Sequence, residues 1–240
     1  MQLDAGNLVD FYESALGQAA RRLIFRRIKL IWPQQKGLRV LGYGFAVPYL
    51  KPYLGDAERV VALMPAQTGV VAWPANRPLT VLGEEGSLPF ADAMFDRILV
   101  VHGLEGADAA RVLLRQLWRV LAPEGRLLIV APNRASLWAQ VEASPFACGR
   151  PFHRSELVAL LQDTLFETLQ WERALYMPPL RGHRLSRTGA GWERLGRRFL
   201  PGVAGVHLVE ASKSLYGTAT PPRLTRREPV LTRALGISPR

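Results

Sequence analysis

The chain has 240 residues, 48% of them hydrophobic, which is enough to build one large domain around a buried core. Its single cysteine, Cys148, excludes an internal disulfide and a cysteine-based zinc cluster. The formal net charge is +11 at pH 7. No apolar run approaches the roughly 18–20 residues of a membrane span, and the N-terminus lacks a secretory pattern, so we expect a soluble, cytoplasmic protein.

Basic residues gather in three parts of the chain. Five lie between Arg21 and Lys29, and six arginines lie between Arg181 and Arg198 against one glutamate. The segment after Pro221 adds five more arginines against one glutamate. Such clusters can indicate contact with nucleic acid, acidic lipid or an acidic partner, although solvated helix faces are the simpler explanation.

The N-terminal part predicts one amphipathic helix from Val9 to Trp32. Apolar residues recur at helical spacing on one side and arginines occupy the other, until Pro33 and Gly37 end the pattern. We interpret residues 1–36 as a helix that lies over the following domain as a lid.

Short apolar runs alternate with helical patterns in the middle of the chain. The runs predict four strands: Leu38–Tyr43, Arg59–Met64, Asp96–His102 and Gly125–Pro132. Because these runs are almost continuously Val, Ile and Leu, the strands should be covered on both faces, as in a parallel sheet. A helix predicted over Ala107–Ala122 joins the last two strands, as in a doubly wound α/β fold.

The C-terminal part predicts the end of this domain. We expect a helix over Ser155–Thr164 and a closing antiparallel pair of strands within residues 166–177 and 203–216. A basic insertion at about 180–200 separates the two strands. The domain therefore spans residues 37–216, and residues 217–240 form a flexible basic tail.

The turn after the first strand has the sequence VLGYGFAVPYL, residues 40–50. Gly42 and Gly44 allow a tight turn and a close approach of a ligand to the backbone, as in nucleotide-binding loops. A plain strand-to-helix turn would use the same glycines, so this motif alone does not decide between the two. Pro48 suits the first turn of a following helix.

Three stretches of the chain together resemble the type-11 branch of the class I S-adenosylmethionine-dependent methyltransferases. They are VLGYG, GEEGSLPFADAMFDRILVVHGLE and LLRQLWRVLAPEGRLLIVAPN, which follow one another in the family's order and spacing. The resemblance covers about residues 38–132. It implies an α/β fold with a doubly wound, Rossmann-like, mostly parallel seven-stranded sheet and helices on both faces.

The resemblance also implies a site for S-adenosylmethionine at the ends of the first strands. Carried over residue by residue, the cofactor-binding positions are Gly42, Tyr43, Gly44, Met64, Pro65, Glu84, Glu85, Leu88 and His102. Among them, Glu84 corresponds to the acidic residue beside the adenine amino group. His102 ends the strand motif that lines the cofactor or substrate cleft in the family.

Two of these positions depart from the family pattern. Gly42 replaces an acidic residue, and Met64 stands where a carboxylate would bind the ribose hydroxyls. Losing both hydrogen bonds would weaken cofactor binding by tens- to thousands-fold, roughly, unless other groups compensate. Main-chain groups, Glu85, Tyr43 or the N-terminal helix are the candidates for that compensation.

Histidine supplies the one candidate catalytic residue. His102 can exchange a proton near neutral pH and is the best candidate for a general base, although a strand-end histidine can also simply pack. His153 precedes a helix, His183 lies in the basic insertion and His207 lies in an apolar strand, so we predict no metal site. Cys148 has no evident partner and is most simply a small inert residue.

Two functions remain open from the sequence. The first is an S-adenosylmethionine-dependent methyltransferase acting on an unknown acceptor. The alternative is a catalytically inactive protein that keeps the methyltransferase fold to bind a protein or nucleic-acid partner through its arginine-rich surfaces. A nicotinamide enzyme fits less well, because the third glycine and the ribose acid of that fingerprint are missing. The acceptor and the oligomeric state are unknown.

Overall fold

A seven-stranded sheet forms the centre of the protein in the computed structural model, which describes residues 3–141, 144–179 and 189–214. The strand order is β3-β2-β1-β4-β5-β7-β6, and only β7 runs antiparallel to its neighbours. The strands are β1 (Arg39–Gly44), β2 (Arg59–Pro65), β3 (Thr80–Gly83), β4 (Phe95–Val101), β5 (Leu121–Pro132), β6 (Phe166–Ala174) and β7 (Val206–Lys213).

Six α-helices are present in the described residues and cover both faces of the sheet. They are α1 (Ala5–Glu13), α2 (Ala15–Ile31), α3 (Val47–Leu50), α4 (Ala110–Val120), α5 (Arg154–Asp163) and α6 (Gly189–Phe199). One core joins α1 and α2 to the sheet, and a second core on the other face joins α4 and α5 to it. The expected doubly wound α/β fold is confirmed.

The predicted strands agree with the structure to within a few residues at their ends, except at the sheet's edge, where one strand was not predicted. The closing antiparallel pair is confirmed as β6 and β7. Residues 80–83 were not predicted as a strand, because β3 has only four residues and none of them is buried. β5 begins at Leu121, so α4 ends at Val120 instead of continuing to Ala122.

The predicted single helix from Val9 to Trp32 is wrong, because the chain forms two helices that meet at Ser14. Ser14 has an extended backbone, and its hydroxyl accepts a hydrogen bond from the amide of Gly17, so it caps the start of α2. A Cβ on Gly17 would lie 1.9 Å from the carbonyl oxygen of Phe11, so the junction needs glycine there. The apolar residues keep their helical spacing across Ser14, so the sequence pattern does not indicate the break.

The crossover between β1 and β2 is unusually short. It contains α3, a single turn with Pro48 near its start as expected, followed by a 3-10 turn at Lys51–Tyr53. Residues 66–79, between β2 and β3, form no helix. The N-terminal helices therefore cover this face, and Leu8, Ile24 and Ile28 pack there in one core with Val40 of β1.

The most specific of the family motifs stabilise the fold of this chain through hydrogen bonds. The Arg119 guanidinium donates hydrogen bonds to the carbonyl oxygens of Leu88 and Phe90 and lies 2.7 Å from Asp92, so α4 holds the Leu-Pro-Phe turn. Asp96 accepts two side-chain hydrogen bonds and one backbone hydrogen bond from Arg39, which ties the starts of β1 and β4 together. This pairing lowers the pKa of Asp96.

The basic insertion and the tail are described only in part. The described part of the insertion forms α6. Residues 180–188 and 217–240, which hold the remaining arginines of these segments, lie outside the described residues.

Candidate functional site

The glycine turn after β1 packs closely against the end of β4. Gly44 has a φ of +76°, and a Cβ there would lie 2.3 Å from the carbonyl oxygen of Val101 and 2.9 Å from Gly103. The following amide, from Phe45, donates to the same Val101 oxygen at 2.7 Å. Glycine is therefore required at position 44 because two strand ends meet there.

The two positions that lack the family's acidic residue are filled by the core. A Cβ on Gly42 would lie 2.5 Å from a methyl group of Leu50 and 2.8 Å from Cβ of Ala46, so α3 occupies the space of an acidic side chain. Met64 is fully buried, and its sulfur lies 3.3 Å from the amide of Val71, which donates to it. These side chains stabilise the fold at the two positions where the resemblance leads us to expect carboxylates.

Tyr43 and Leu88 also lie in the core. Both belong to the apolar cluster on the α4 side of the sheet, and Tyr43 packs against Gly103. Burial raises the pKa of Tyr43 above its usual range, so its hydroxyl stays protonated.

The remaining predicted residues line two adjoining cavities at the carboxyl edge of the sheet, where ligands bind in such folds. The larger, of about 280 Å³, is lined by Leu3, Pro65, Gln67, Thr68, His102, Gly103, Gly106, Cys148 and Gly149. The smaller, of about 170 Å³, is lined by Pro65, Ala66, Gln67, Glu84, Glu85 and Asp108. Pro65 and Gln67 belong to both, so the cavities are neighbours along the ends of β2, β3 and β4.

The smaller cavity has an acidic wall. Glu85 accepts hydrogen bonds from the side chain of Gln67 at 2.5 Å and from the amide of Asp108 at 3.1 Å, which fixes its carboxylate. Glu84 is exposed on the same wall. Two carboxylates beside each other, one fixed and one open to solvent, can accept hydrogen bonds from hydroxyl or amino groups of a ligand.

A chain of buried polar side chains lies against the larger cavity. His102 Nε2 is 2.8 Å from the hydroxyl of Tyr12, and His102 Nδ1 is 3.2 Å from a carboxylate oxygen of Glu105. The three residues are at most 8% exposed. α1 contributes Tyr12, whereas the segment just after β4 contributes both other residues.

The hydrogen bonds of this chain define a direction for proton transfer. The geometry suits a proton on Nδ1 directed at Glu105, with Nε2 accepting a hydrogen bond from Tyr12. Burial and the neighbouring Tyr49 raise the pKa of Tyr12, so Tyr12 stays a phenol that can donate to Nε2. The arrangement prepares His102 to accept a proton at Nε2.

Two further features mark His102 and Glu105 as unusual. His102 has a φ of +48°, a left-handed conformation that non-glycine residues rarely adopt and that often marks a functional site. The second carboxylate oxygen of Glu105 is buried and has no hydrogen-bond partner among the described residues. Glu105 is not among the site residues predicted from the sequence, although an acidic residue three positions after a strand-end histidine is a signal that could have indicated it.

Aromatic rings close over the glycine turn and surround His102. Tyr12 stacks on Phe45 with ring centroids 5.8 Å apart, and its hydroxyl lies 3.1 Å from that of Tyr49. On the other side, the Phe146 ring centroid is 4.9 Å from that of His102. These rings exclude water from the histidine, which strengthens its electrostatic interaction with Glu105.

The described residues contain neither a cluster of metal-binding side chains nor a helix able to cross a membrane. No three His, Cys, Asp or Glu side chains among them are grouped so that they could hold a metal ion. None of the described helices combines the length and the apolar character that crossing a bilayer requires.

The sequence matches one family model, described as a methyltransferase domain, over residues 40–129. Two curated relatives are demethylmenaquinone methyltransferases. That of Beutenbergia cavernae is 34% identical over 110 residues, 45% of each chain. That of Mycolicibacterium paratuberculosis is 37% identical over 60 residues, 25% of this chain and 26% of the relative. The match thus spans less than half the length of these relatives.

Solved structures share the fold at low sequence identity. A methyltransferase from Thermotoga maritima has a TM-score of 0.62 at 17% identity and covers 88% of this chain and 96% of its own. A methyltransferase from Mesorhizobium loti has a TM-score of 0.57 at 14% identity, covering 85% and 100%. The (4+2)-cyclase SpnF has a TM-score of 0.57 at 21% identity, covering 83% and 84%. At these identities the likeness concerns the fold alone.

Proposed function

We propose that the protein is a class I, S-adenosylmethionine-dependent methyltransferase, because residues 40–129 match the model of a methyltransferase domain, and that it methylates an acceptor whose nucleophilic atom carries a proton. The observation that carries this proposal is the buried chain of Tyr12, His102 and Glu105 beside the larger cavity. A site that only aligned an already deprotonated nucleophile would not need a buried base with its own carboxylate.

The residues around the two cavities fit the cofactor, with a different distribution of polar groups from that expected. Glu84 and Glu85 would hold its nucleoside end in the smaller cavity, because they are the carboxylates that remain where positions 42 and 64 have none. Gly103 and Thr68 would hold the rest of it in the larger cavity. When bound, S-adenosylmethionine supplies an activated methyl group.

In this mechanism the protein aligns the acceptor and removes its proton. His102 Nε2 accepts the proton when the acceptor takes the hydrogen-bonding position that the Tyr12 hydroxyl holds in its absence. Glu105 keeps the ring oriented and stabilises the positive charge that forms on it. Phe146 and Tyr49 exclude water from the histidine, so that the proton goes to His102 and not to solvent.

The first acceptor class to test is the reduced, quinol form of a quinone-type ring, because its hydroxyl groups carry the proton to be removed and the oxidised quinone is not a nucleophile. The curated relatives are named as demethylmenaquinone methyltransferases. The larger cavity also has apolar lining from Leu3, Pro65 and Cys148 and includes His102 in its wall, which suits an apolar ring that carries hydroxyl groups.

Calorimetric titration with S-adenosylhomocysteine tests the cofactor site. We expect the wild-type protein to bind it and Glu84→Gln to bind it about tenfold to a hundredfold more weakly, because one charged hydrogen bond is lost. Glu124→Gln, exposed near the start of β5, is the matched control and should bind as the wild type does. Equal weakening by both variants would contradict the assignment of Glu84.

Methyl transfer from labelled S-adenosylmethionine to demethylmenaquinone analogues, reduced beforehand to the quinol with dithionite, tests the base. His102→Ala should lower the rate about a hundredfold or more while S-adenosylhomocysteine binding changes little. Glu105→Gln should lower the rate less and shift its pH profile, because the neutral amide stabilises the protonated ring poorly. A full rate in His102→Ala would refute the proposed role.

One observation favours a second function. Leu50 and Ala46 fill the space beside Gly42, and Met64 is part of the core, so two family contacts with the cofactor have been replaced by packing. If the wild-type protein does not bind S-adenosylhomocysteine at millimolar concentration, the chain is better described as a methyltransferase-fold protein that binds a protein or nucleic-acid partner.

A further inference from the structure

A strip of large apolar side chains is exposed along α6 and the turn that follows it. The strip consists of Trp192, Leu195, Phe199, Leu200 and Val203, each between 41% and 65% exposed. Exposed apolar residues are ordinary when scattered singly, but here five of them lie within twelve consecutive residues and form a patch. We call this patch the α6 strip.

The helix α6 is attached to the protein by a different face. Glu193 is buried, and its carboxylate accepts a hydrogen bond from the amide of Tyr176 at 2.7 Å. Gly196 packs against the ring of Tyr176, where a Cβ would lie only 2.5 Å away. Trp192, Leu195 and Phe199 follow a spacing of three and four residues, so they share a face of the helix that these two anchors leave in solvent.

Arginines border the α6 strip. Arg194, Arg197 and Arg198 are exposed on the same helix. The sequence adds Arg181, Arg184 and Arg187 just before it, outside the described residues. A helix with Trp, Leu and Phe on one face and several arginines on another has the composition of helices that lie in the interface of a membrane with anionic lipids.

We propose that the α6 strip docks the protein on the surface of a membrane that contains anionic lipid. The arginines would contact lipid headgroups, and Trp192, Leu195 and Phe199 would enter the boundary between headgroups and acyl chains. The helix has only eleven residues and is anchored to the domain through Glu193, so it lies on the membrane and does not cross it.

Two other occupants fit the α6 strip less well. Nucleic acid would neutralise the arginines but offers little to Leu195, Leu200 and Val203, since protein contacts with it are mainly polar. A second copy of the chain would cover the apolar residues, but a two-fold interface would bring the arginines of both copies to the same surface, where they repel each other.

Co-sedimentation with lipid vesicles tests the proposal. We expect the wild-type protein to bind vesicles of phosphatidylglycerol and phosphatidylcholine at least about tenfold more tightly than vesicles of phosphatidylcholine alone, with the difference falling as salt is raised. The tryptophan emission should shift to shorter wavelength on binding, and this shift should be absent in Trp192→Phe. Failure to bind anionic vesicles at low salt would overturn the proposal.

A double variant and its control distinguish vesicle binding through the α6 strip from nonspecific hydrophobic binding. Leu195→Gln with Phe199→Gln should lose about tenfold or more in vesicle affinity, whereas Leu30→Gln, at an exposed leucine on α2, should bind as the wild type does. Circular dichroism checks that each variant is folded. Equal loss in both, or no loss in the double variant, would refute the proposal. So would a wild-type dimer in lipid-free sedimentation that the double variant abolishes.

Discussion

His207 lies on β7 directly opposite Arg173 on β6, and only 4% of it is exposed. Neither ring nitrogen has a hydrogen-bond partner among the described residues. Burial lowers its pKa to about 4, with further contributions from the positive charges of Arg173 and Arg154 and from His153. The folded state therefore holds this ring neutral at a pH where the unfolded chain would protonate it.

This burial predicts that the protein loses stability in mild acid. Between pH 6.5 and pH 4 the unfolded state binds a proton at His207 that the folded state does not, so the free energy of unfolding should fall by about 3 kcal/mol as the pH is lowered. In His207→Gln most of that decrease should disappear, as measured by urea unfolding at pH 7, 5.5 and 4.

The control for this prediction is His153→Gln, because His153 is exposed at the start of α5. It should keep most of the wild-type dependence on pH, because His153 is the smallest of the contributions to the lowered pKa of His207 and burial is the largest. An unchanged slope in His207→Gln would mean that other groups titrate in this range.

The residues around His102 show which part of the candidate site could not be predicted from the sequence. His102 was recognised as a candidate base from its position at a strand end, but its partners could not be. Tyr12 lies 90 residues away in sequence, and Glu105 acquires its meaning only when the turn after β4 brings it to Nδ1 of His102. Such pairing depends on tertiary geometry, which a residue pattern does not contain.

At the scale of elements, the motif around Arg119 joins α4 to the turn before β4. Its guanidinium donates to two backbone carbonyls and pairs with Asp92. A lysine could replace the charge but could not satisfy both carbonyls and the carboxylate in that geometry.

Arg119→Lys should therefore lower the free energy of unfolding by about 1–3 kcal/mol. Arg115→Lys, one turn earlier on the same helix, is the control: Arg115 is exposed and its guanidinium lies over the ring of Trp118, so the change should cost less than about 1 kcal/mol. Chemical unfolding measures both. Equal effects would mean that the motif serves something other than this turn.

Helices and strands could be predicted where a regular pattern of apolar residues continued without interruption over a long stretch. The apolar strands β1, β2 and β4 and the helices α4 and α5 follow from it, with ends displaced by a few residues. β3 was not predicted because its four half-exposed residues show no periodic pattern of apolar side chains. The break at Ser14 escaped because α1 and α2 continue one apolar stripe across it.

At the scale of the whole molecule, the sheet carries one core on each face. Ile28 of α2 is fully buried in the first, and Leu117 of α4 is fully buried in the second. Because the same strands contribute to both cores, α2 belongs to the folded domain as much as α4 does. The continuous apolar strands predicted a sheet that is covered on both faces. The sequence did not show that α2 forms a large part of the core on one of those faces.

Ile28→Ala and Leu117→Ala should each lower the free energy of unfolding by about 2–5 kcal/mol, because each leaves a cavity in a packed core. Both variants should unfold in one transition with the wild-type dependence on urea. Two transitions in Ile28→Ala, with fluorescence and circular dichroism changing at different urea concentrations, would show instead that residues 1–36 detach as a separate unit.

The phenol of Tyr12 gives the first helix a chemical importance that its place in the chain hides. A protein shortened before Ser14 would keep all seven strands and both residues that follow β4, yet the imidazole would face water on the side where the phenol now lies. Natural variation or proteolysis at this end would thus alter the chemistry first and the architecture second.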